Sequence, residues 1–152
     1  MKAESAGQPD AVCYKWAHRD TMAQPPHAPT VLVVDDEAGI RAIARRALEE
    51  AGYQVLDASN GRAAIELLAQ GSAPDLLIAD LNMPGLGGNE MVRRIRTTRP
   101  DLKVLYVSGH ISRLMDARPL WEGEAFLNKP FTNEGLREAV ALLLYGTLKK
   151  PE

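Results

Sequence analysis

The sequence predicts a doubly wound α/β domain with a five-stranded parallel sheet. From residue 30 onward, five short apolar runs rich in β-branched residues alternate with segments of helical periodicity. The runs are continuous, as is typical of strands that are buried on both faces. This alternation favours right-handed βαβ units, which place helices on both sides of the sheet in a three-layer αβα arrangement.

The five predicted strands are defined by their apolar, β-prone runs. The runs are VLVV (31–34), YQVLDA (53–58), DLLIAD (75–80), KVLYVS (103–108) and AFLN (125–128). Their lengths suit strands better than helices, because each is shorter than two helical turns.

The segments after the first, second, third and fifth strands have the spacing of amphipathic helices. Glycine or proline follows three of them, as expected at a helix end. The apolar stripes consist of Ile40, Ile43, Ala44, Ala47 and Leu48; Ala64, Ile65, Leu67 and Leu68; Met91, Val92 and Ile95; and Leu136, Val140, Leu143 and Leu144.

The segment after the fourth strand, residues 110–124, is different. It contains Pro119 and Gly123, and proline breaks the interior of a helix. We therefore expect a short, irregular or mobile helix there.

Length and composition indicate one cytoplasmic domain. The chain has 152 residues, 45% hydrophobic and 25% charged residues, and a net charge of −2, which gives no basic footprint for nucleic acid. Its arginine clusters, at helical spacing, are interpreted as solvated faces. Cys13 has no partner for a disulfide or zinc site, and no membrane span or signal peptide is recognisable. The arginines are Arg41, Arg45 and Arg46, then Arg93, Arg94, Arg96 and Arg99.

The chain divides unevenly. Residues 1–29 contain QPD and AQPPHAP without apolar periodicity, so a disordered leader is predicted. Residues 30–149 form the predicted domain, and residues 150–152 a short tail. Since the sequence ends just after the last helix, we expect no attached output domain.

The polar residues that follow the strands are the candidates for function, because ligands of such sheets gather at the carboxyl ends of the strands. The first strand ends in Asp35, Asp36 and Glu37, and the third in Asp80. The fourth ends in Ser108, Gly109 and His110, and the fifth in Lys129 and Pro130. Each of these residues alone is explained by a helix cap, a turn or a surface charge.

These residue types fit one chemistry. Neighbouring carboxylates resist full ionisation unless a cation neutralises them, and hard oxygen ligands suit Mg²⁺ better than zinc. A carboxylate beside Mg²⁺, faced by an ammonium and a hydroxyl, is suited to phosphoryl transfer.

Four stretches, VLVVDDE, DLLIADLNMPGLGG, VLYVSGH and AFLNKPF, give the chain from about residue 30 to 149 a specific resemblance. It resembles the receiver domain of two-component response regulators, a flavodoxin-like (CheY-like) fold. The pattern is most similar to single-domain receivers or those appended to hybrid histidine kinases. The chain lacks the Gly-Ala pair usual before the fifth strand, which places the family's dimerisation face in doubt.

The resemblance implies a role for each matching residue. Asp80 is the expected phosphoacceptor, and Ser108 and Lys129 are expected to bind the phosphoryl group. Mg²⁺, or Mn²⁺ in its place, is expected on Asp35, Asp36, Asp80 and the backbone carbonyl of Asn82. The remaining assignments are the switch pair Ser108 and Phe126, the residues Asn82 and His110 that tune dephosphorylation, a commonly cis bond before Pro130, and structural roles for Glu37 and Asp57.

The resemblance also implies partners. A histidine kinase or histidine phosphotransfer protein is expected to donate the phosphoryl group, and an unknown downstream protein to read the altered surface. We expect a monomer or weak dimer that binds neither nucleic acid nor membrane, and a signalling protein that catalyses only its own phosphorylation and dephosphorylation.

Two other classes remain open from the sequence. One is a haloacid-dehalogenase-like phosphatase, although that family places its nucleophile after the first strand in an Asp-x-Asp pattern. The other is a receiver that works as a constitutive binding module and is never phosphorylated.

Overall fold

The structure, a computed structural model, describes residues 28–109 and 123–146. The predicted leader up to residue 27, His110, the irregular segment up to residue 122 and the C-terminal tail lie outside the described residues. Among the described residues, no helix has both the length and the apolar character needed to cross a membrane.

Five parallel strands form one sheet. They are β1 (Thr30–Val34), β2 (Gln54–Ala58), β3 (Leu76–Asp80), β4 (Lys103–Ser108) and β5 (Glu124–Asn128). Their order across the sheet is β2-β1-β3-β4-β5, and every neighbouring pair is parallel. The predicted fold class is confirmed.

Four helices are described beside the sheet. They are α1 (Ala38–Glu50), α2 (Gly61–Ala69), α3 (Gly88–Arg96) and α4 (Asn133–Tyr145). Side-chain caps start two of them: Asn60 accepts from the Ala63 N–H at 2.8 Å, and Thr132 from the Gly135 N–H at 2.9 Å.

Both faces of the sheet are buried. Successive β1 residues point to opposite sides, so Leu32 and Val34 join a core with α2 and α3, while Val31 and Val33 join a core with α1 and α4. This two-sided burial explains why the strands read as continuous apolar runs.

One member of the predicted apolar stripe of α1 is not in the core. Ile43 is 48% exposed, whereas Ala44, Ala47 and Leu48 are buried. The stripe prediction was therefore wrong at Ile43, because α1 turns only a narrow arc of its surface toward the sheet.

The start of α3 lies very close to the end of β3. A Cβ atom built on Gly88 would come within 2.5 Å of the Asp80 carbonyl oxygen, which is closer than any real Cβ contact. Only glycine allows the helix to begin so near the strand end. The backbone around Asp80 is thus fixed by close packing.

Candidate functional site

Asp35 and Asp80 lie side by side at one edge of the sheet. They come at the carboxyl ends of β1 and β3, which are paired neighbours in the sheet. Both residues are only 3% exposed. In the sheet, β1 lies between β2 and β3, so the strand order reverses at β1. Parallel sheets of this kind bind ligands at such a reversal, outside the carboxyl ends of the strands.

Three carboxylates converge there. Asp35, Asp36 and Asp80 each place an oxygen within 4.8 Å of the others, and Asp36 is the exposed member. An all-oxygen donor set that is partly open to water matches the preference of Mg²⁺. The donor chemistry therefore fits the predicted ion. The predicted carbonyl donor, Asn82, follows Asp80 in the same loop.

Lys129 lies between the carboxylates. Its Nζ atom is 3.0 Å from Asp35 Oδ2, 3.4 Å from Asp80 Oδ2 and 3.5 Å from Glu37 Oε1. The peptide bond between Lys129 and Pro130 is cis, and the Lys129 N–H donates to the Ser108 carbonyl at 2.9 Å. The ammonium group offsets part of the acidic charge.

The charges at this edge shift one another's titration. Burial raises the pKa of Asp80, and the nearby Asp35 charge adds to the rise, although the Asn82 N–H and Lys129 oppose it. Burial alone lowers the pKa of Lys129, but its contacts with Asp35 and Asp80 outweigh that effect and raise it. The contacts with the two carboxylates thus favour the charged form of Lys129, while burial disfavours the charged form of Asp80.

Asn82 connects Asp80 to Ser108. Its backbone N–H donates to Asp80 Oδ1 at 3.1 Å, and its side-chain Nδ2 donates to Ser108 Oγ at 3.1 Å. Ser108 ends β4 and is 3% exposed. The predicted phosphoacceptor and the predicted hydroxyl thus share one neighbour.

Phe126 is half-buried on β5 and contacts Tyr106 on β4. Their ring centroids are 5.4 Å apart with the planes tilted by 41°. The Tyr106 hydroxyl in turn donates to the buried carboxylate of Glu124 at 3.2 Å. The predicted switch aromatic therefore packs on a tyrosine whose hydroxyl is bound to a buried carboxylate.

Two arginines that we had assigned to solvated faces are mostly covered, so that interpretation was wrong for them. Arg96 forms an ion pair with Glu124, Nη1 to Oε2 at 2.7 Å, with only 16% of its side chain exposed. Arg41 donates to the Asp35 carbonyl at 2.7 Å. Helical spacing gave no signal of either contact, because each arginine reaches a residue outside its own helix.

Glu37 lies at the N-cap position of α1, where its negative charge was expected. It precedes α1, yet its side chain makes no capping hydrogen bond. Its carboxylate instead approaches Lys129, so it adds to the charge around the ammonium.

Comparison with known proteins identifies the family. The family model of the response regulator receiver domain matches residues 31–141. The chain belongs to this family. It is therefore a receiver domain of two-component signalling, and the resemblance seen in the sequence is confirmed.

Individual relatives agree with the family assignment. The chain is similar to the sensor kinase CckA of Brucella abortus, with 35% identity over 76% of this chain and 12% of that protein. It is also similar to sporulation initiation phosphotransferase F of Bacillus subtilis, with 30% identity over 72% of this chain and 89% of that protein. The chain thus spans a small part of one relative and most of the other.

A solved receiver offers a structural comparison. The response regulator TrrA of Thermotoga maritima, solved in complex with Mg²⁺-BeF, is 34% identical, with a TM-score of 0.68. The match covers 76% of this receiver and 99% of that chain.

Proposed function

We propose that this receiver accepts a phosphoryl group on Asp80 in the presence of Mg²⁺, and that the change alters a surface that a partner protein binds. The observation that carries the proposal is the convergence of three carboxylates and Lys129 at one edge of the sheet. That arrangement unites a nucleophile, a cation site and a fixed ammonium.

The proposed donor is a phosphohistidine of a histidine kinase or a histidine phosphotransfer protein. A carboxylate oxygen of Asp80 forms a bond to phosphorus while the bond between phosphorus and the imidazole nitrogen breaks. The electron pair of that bond stays on the imidazole. Asp35, Asp36, Asp80 and the Asn82 carbonyl would hold Mg²⁺, which would supply positive charge against the phosphoryl oxygens.

The chain's own groups prepare this step. The Asn82 N–H and the Lys129 ammonium hold the two oxygens of the Asp80 carboxylate from different sides. After transfer, Lys129 and the Ser108 hydroxyl bind phosphoryl oxygens. Phe126, packed on the neighbouring strand, responds to the movement of Ser108 and changes the outer surface.

The experiment is phosphorylation by a small-molecule phosphodonor with Mg²⁺, followed by intact-protein mass measurement. We expect the parent to gain one phosphoryl group and Asp80→Asn to gain none. Asp101→Asn removes an exposed carboxylate and should label like the parent. Equal labelling of Asp80→Asn would refute the assignment of the nucleophile.

Loss of the phosphoryl group is the second measurable property. We propose that the receiver hydrolyses its own aspartyl phosphate and that Asn82 and His110 tune the rate. His110→Ala should therefore change the decay of the labelled protein relative to the parent. Identical decay would remove His110 from the proposal and leave the assignment of Asp80 intact.

A further inference from the structure

Arg41 turns from the first turn of α1 toward the acidic loop. Its Nη1 atom donates to the Asp35 backbone carbonyl at 2.7 Å. Its Nε atom is 4.0 Å from Asp57 Oδ2 on β2, and only 20% of its side chain is exposed. One guanidinium therefore joins the helix, the acidic loop and the neighbouring strand.

The bond to the Asp35 carbonyl fixes more than Asp35. The Asp35 carbonyl and the Asp36 N–H and Cα lie in one peptide plane. The direction of the carbonyl therefore also fixes the position of the Asp36 Cα, from which the side chain extends. The other contacts of Asp35 act elsewhere: its N–H donates to the Ala58 carbonyl, and its carboxylate contacts the Glu37 N–H and Lys129. Arg41 thus acts on the link between two of the three carboxylates.

Asp57 faces the Arg41 guanidinium from β2 at 4.0 Å, the outer limit of an ion pair. Its Oδ2 also pairs with Arg45, at 3.6 Å from Nη2. Arg45 carries the same charge on the same helix, but it contacts Asp57, Glu49 and the Val55 carbonyl. Arg45 therefore shares the Asp57 contact of Arg41, whereas the bond to the Asp35 carbonyl comes from Arg41.

We propose that Arg41 is a positioning residue for the magnesium site, that it orients the peptide between Asp35 and Asp36, and that Asp57 holds its guanidinium. This inference rests on the proposed function, because it concerns the ion that the carboxylates would hold. Groups that orient ligands from outside the coordination sphere change metal affinity without touching the metal.

The charge of Arg41 and its hydrogen bond to Asp35 should affect Mg²⁺ affinity in opposite directions, which makes the proposal testable. A guanidinium near a cation site repels the cation, so its removal by itself would tighten Mg²⁺ binding. Loss of the positioning bond would weaken it. The two contributions have opposite signs, and the direction of the change identifies the larger one.

The experiment is titration of the metal-free protein with Mg²⁺ alone, followed by the NMR shift of the Asn82 amide. We expect Arg41→Gln to raise the dissociation constant about tenfold. Arg41→Lys keeps the charge but lacks the planar fork that spans two acceptors, so it should also weaken binding. Arg45→Gln removes the same charge and should leave the dissociation constant within about twofold of the parent.

Asp57→Asn provides a second route, since it removes the anchor and leaves Arg41 in place. We expect severalfold weaker Mg²⁺ binding, and no further loss when it is combined with Arg41→Gln. Urea unfolding of each metal-free variant shows whether it is folded. If Arg41→Gln does not fold, Arg41→Lys and Asp57→Asn decide the question.

The outcomes separate the inference from the proposed function. Unchanged or tighter binding by folded Arg41→Lys, which keeps the charge, would overturn the positioning role while the magnesium site stands. Absence of Mg²⁺ binding in the parent and in Arg45→Gln would overturn both.

Discussion

The ammonium of Lys129 lies nearer to Asp35, at 3.0 Å, than to the proposed nucleophile Asp80, at 3.4 Å. Lys129 therefore contacts the proposed metal-binding side of the site as well as the proposed phosphoacceptor. In the resting protein it offsets repulsion between two buried carboxylates.

Removal of Lys129 should destabilise the metal-free protein. We expect Lys129→Met to lower the free energy of unfolding by about 1–3 kcal/mol at neutral pH, because Asp35 and Asp80 lose their cationic partner. Urea unfolding measures this difference. Saturating Mg²⁺ should reduce it, since the ion supplies the missing positive charge. Equal stability of parent and variant without Mg²⁺ would contradict the prediction.

Neutralisation of Asp80 should stabilise the metal-free protein at neutral pH. Its folded-state pKa is raised above 3.8, so the proton on Asp80 stabilises the fold at low pH and this contribution is lost as pH rises through the folded pKa. Asp80→Asn cannot ionise. Its advantage over the parent should therefore grow from acidic to neutral pH.

Urea unfolding in EDTA across that pH range tests the sign for Asp80. Asp101→Asn, which alters an exposed carboxylate, serves as the control. An advantage of Asp80→Asn that shrinks as pH rises would show that the sign is wrong.

Substitution of Gly88 should be costly for a steric reason. The Cβ of Gly88→Ala would meet the Asp80 carbonyl oxygen at 2.5 Å, so α3 or the end of β3 must move. We expect a loss of about 1–3 kcal/mol in the free energy of unfolding. Gly39→Ala is the matched control, because its Cβ meets nothing within 4 Å, and it should stabilise α1 by about 0.5–1 kcal/mol. Similar stabilities of the two variants would contradict the steric argument.

The buried carboxylate of Glu124 should contribute to stability. It accepts from Tyr106 and forms an ion pair with Arg96. Glu124→Gln should cost about 1–3 kcal/mol, since a largely covered guanidinium loses its counter-charge. Glu90→Gln alters an ion pair between exposed side chains and should shift the urea midpoint too little to resolve. An unchanged free energy of unfolding in Glu124→Gln would show that the ion pair between Arg96 and Glu124 contributes no net stability.

The fold was predictable because its signals are local and repeated. Each strand is a short apolar run that two helical layers cover, and Leu32 and Val33 show this by entering opposite cores. The same repetition placed Asp35, Asp80, Ser108 and Lys129 at strand ends. Their convergence then follows from the parallel direction of the strands.

Contacts of long side chains were not predictable in this way. The residues around Arg41 and Arg96 read as polar helix faces, yet each guanidinium bends to a partner in another element. Four rotatable bonds separate an arginine head group from its backbone, so helical spacing fixes where the side chain starts and not where it ends. Ile43 shows the converse, since it matched the apolar stripe of its helix and lies exposed.

The hydrogen bond from Asn82 to Ser108 bears on the free-energy difference between the resting and activated forms. The Ser108 hydroxyl already accepts a hydrogen bond at 3.1 Å in the resting protein. Movement of that hydroxyl toward a phosphoryl group on Asp80 would cost this neutral hydrogen bond, about 1 kcal/mol, unless the Asn82 side chain moved with it, while the hydroxyl proton would gain a charge-assisted bond to a phosphoryl oxygen. We therefore expect the side chain at position 82 to influence the balance between the resting and activated forms.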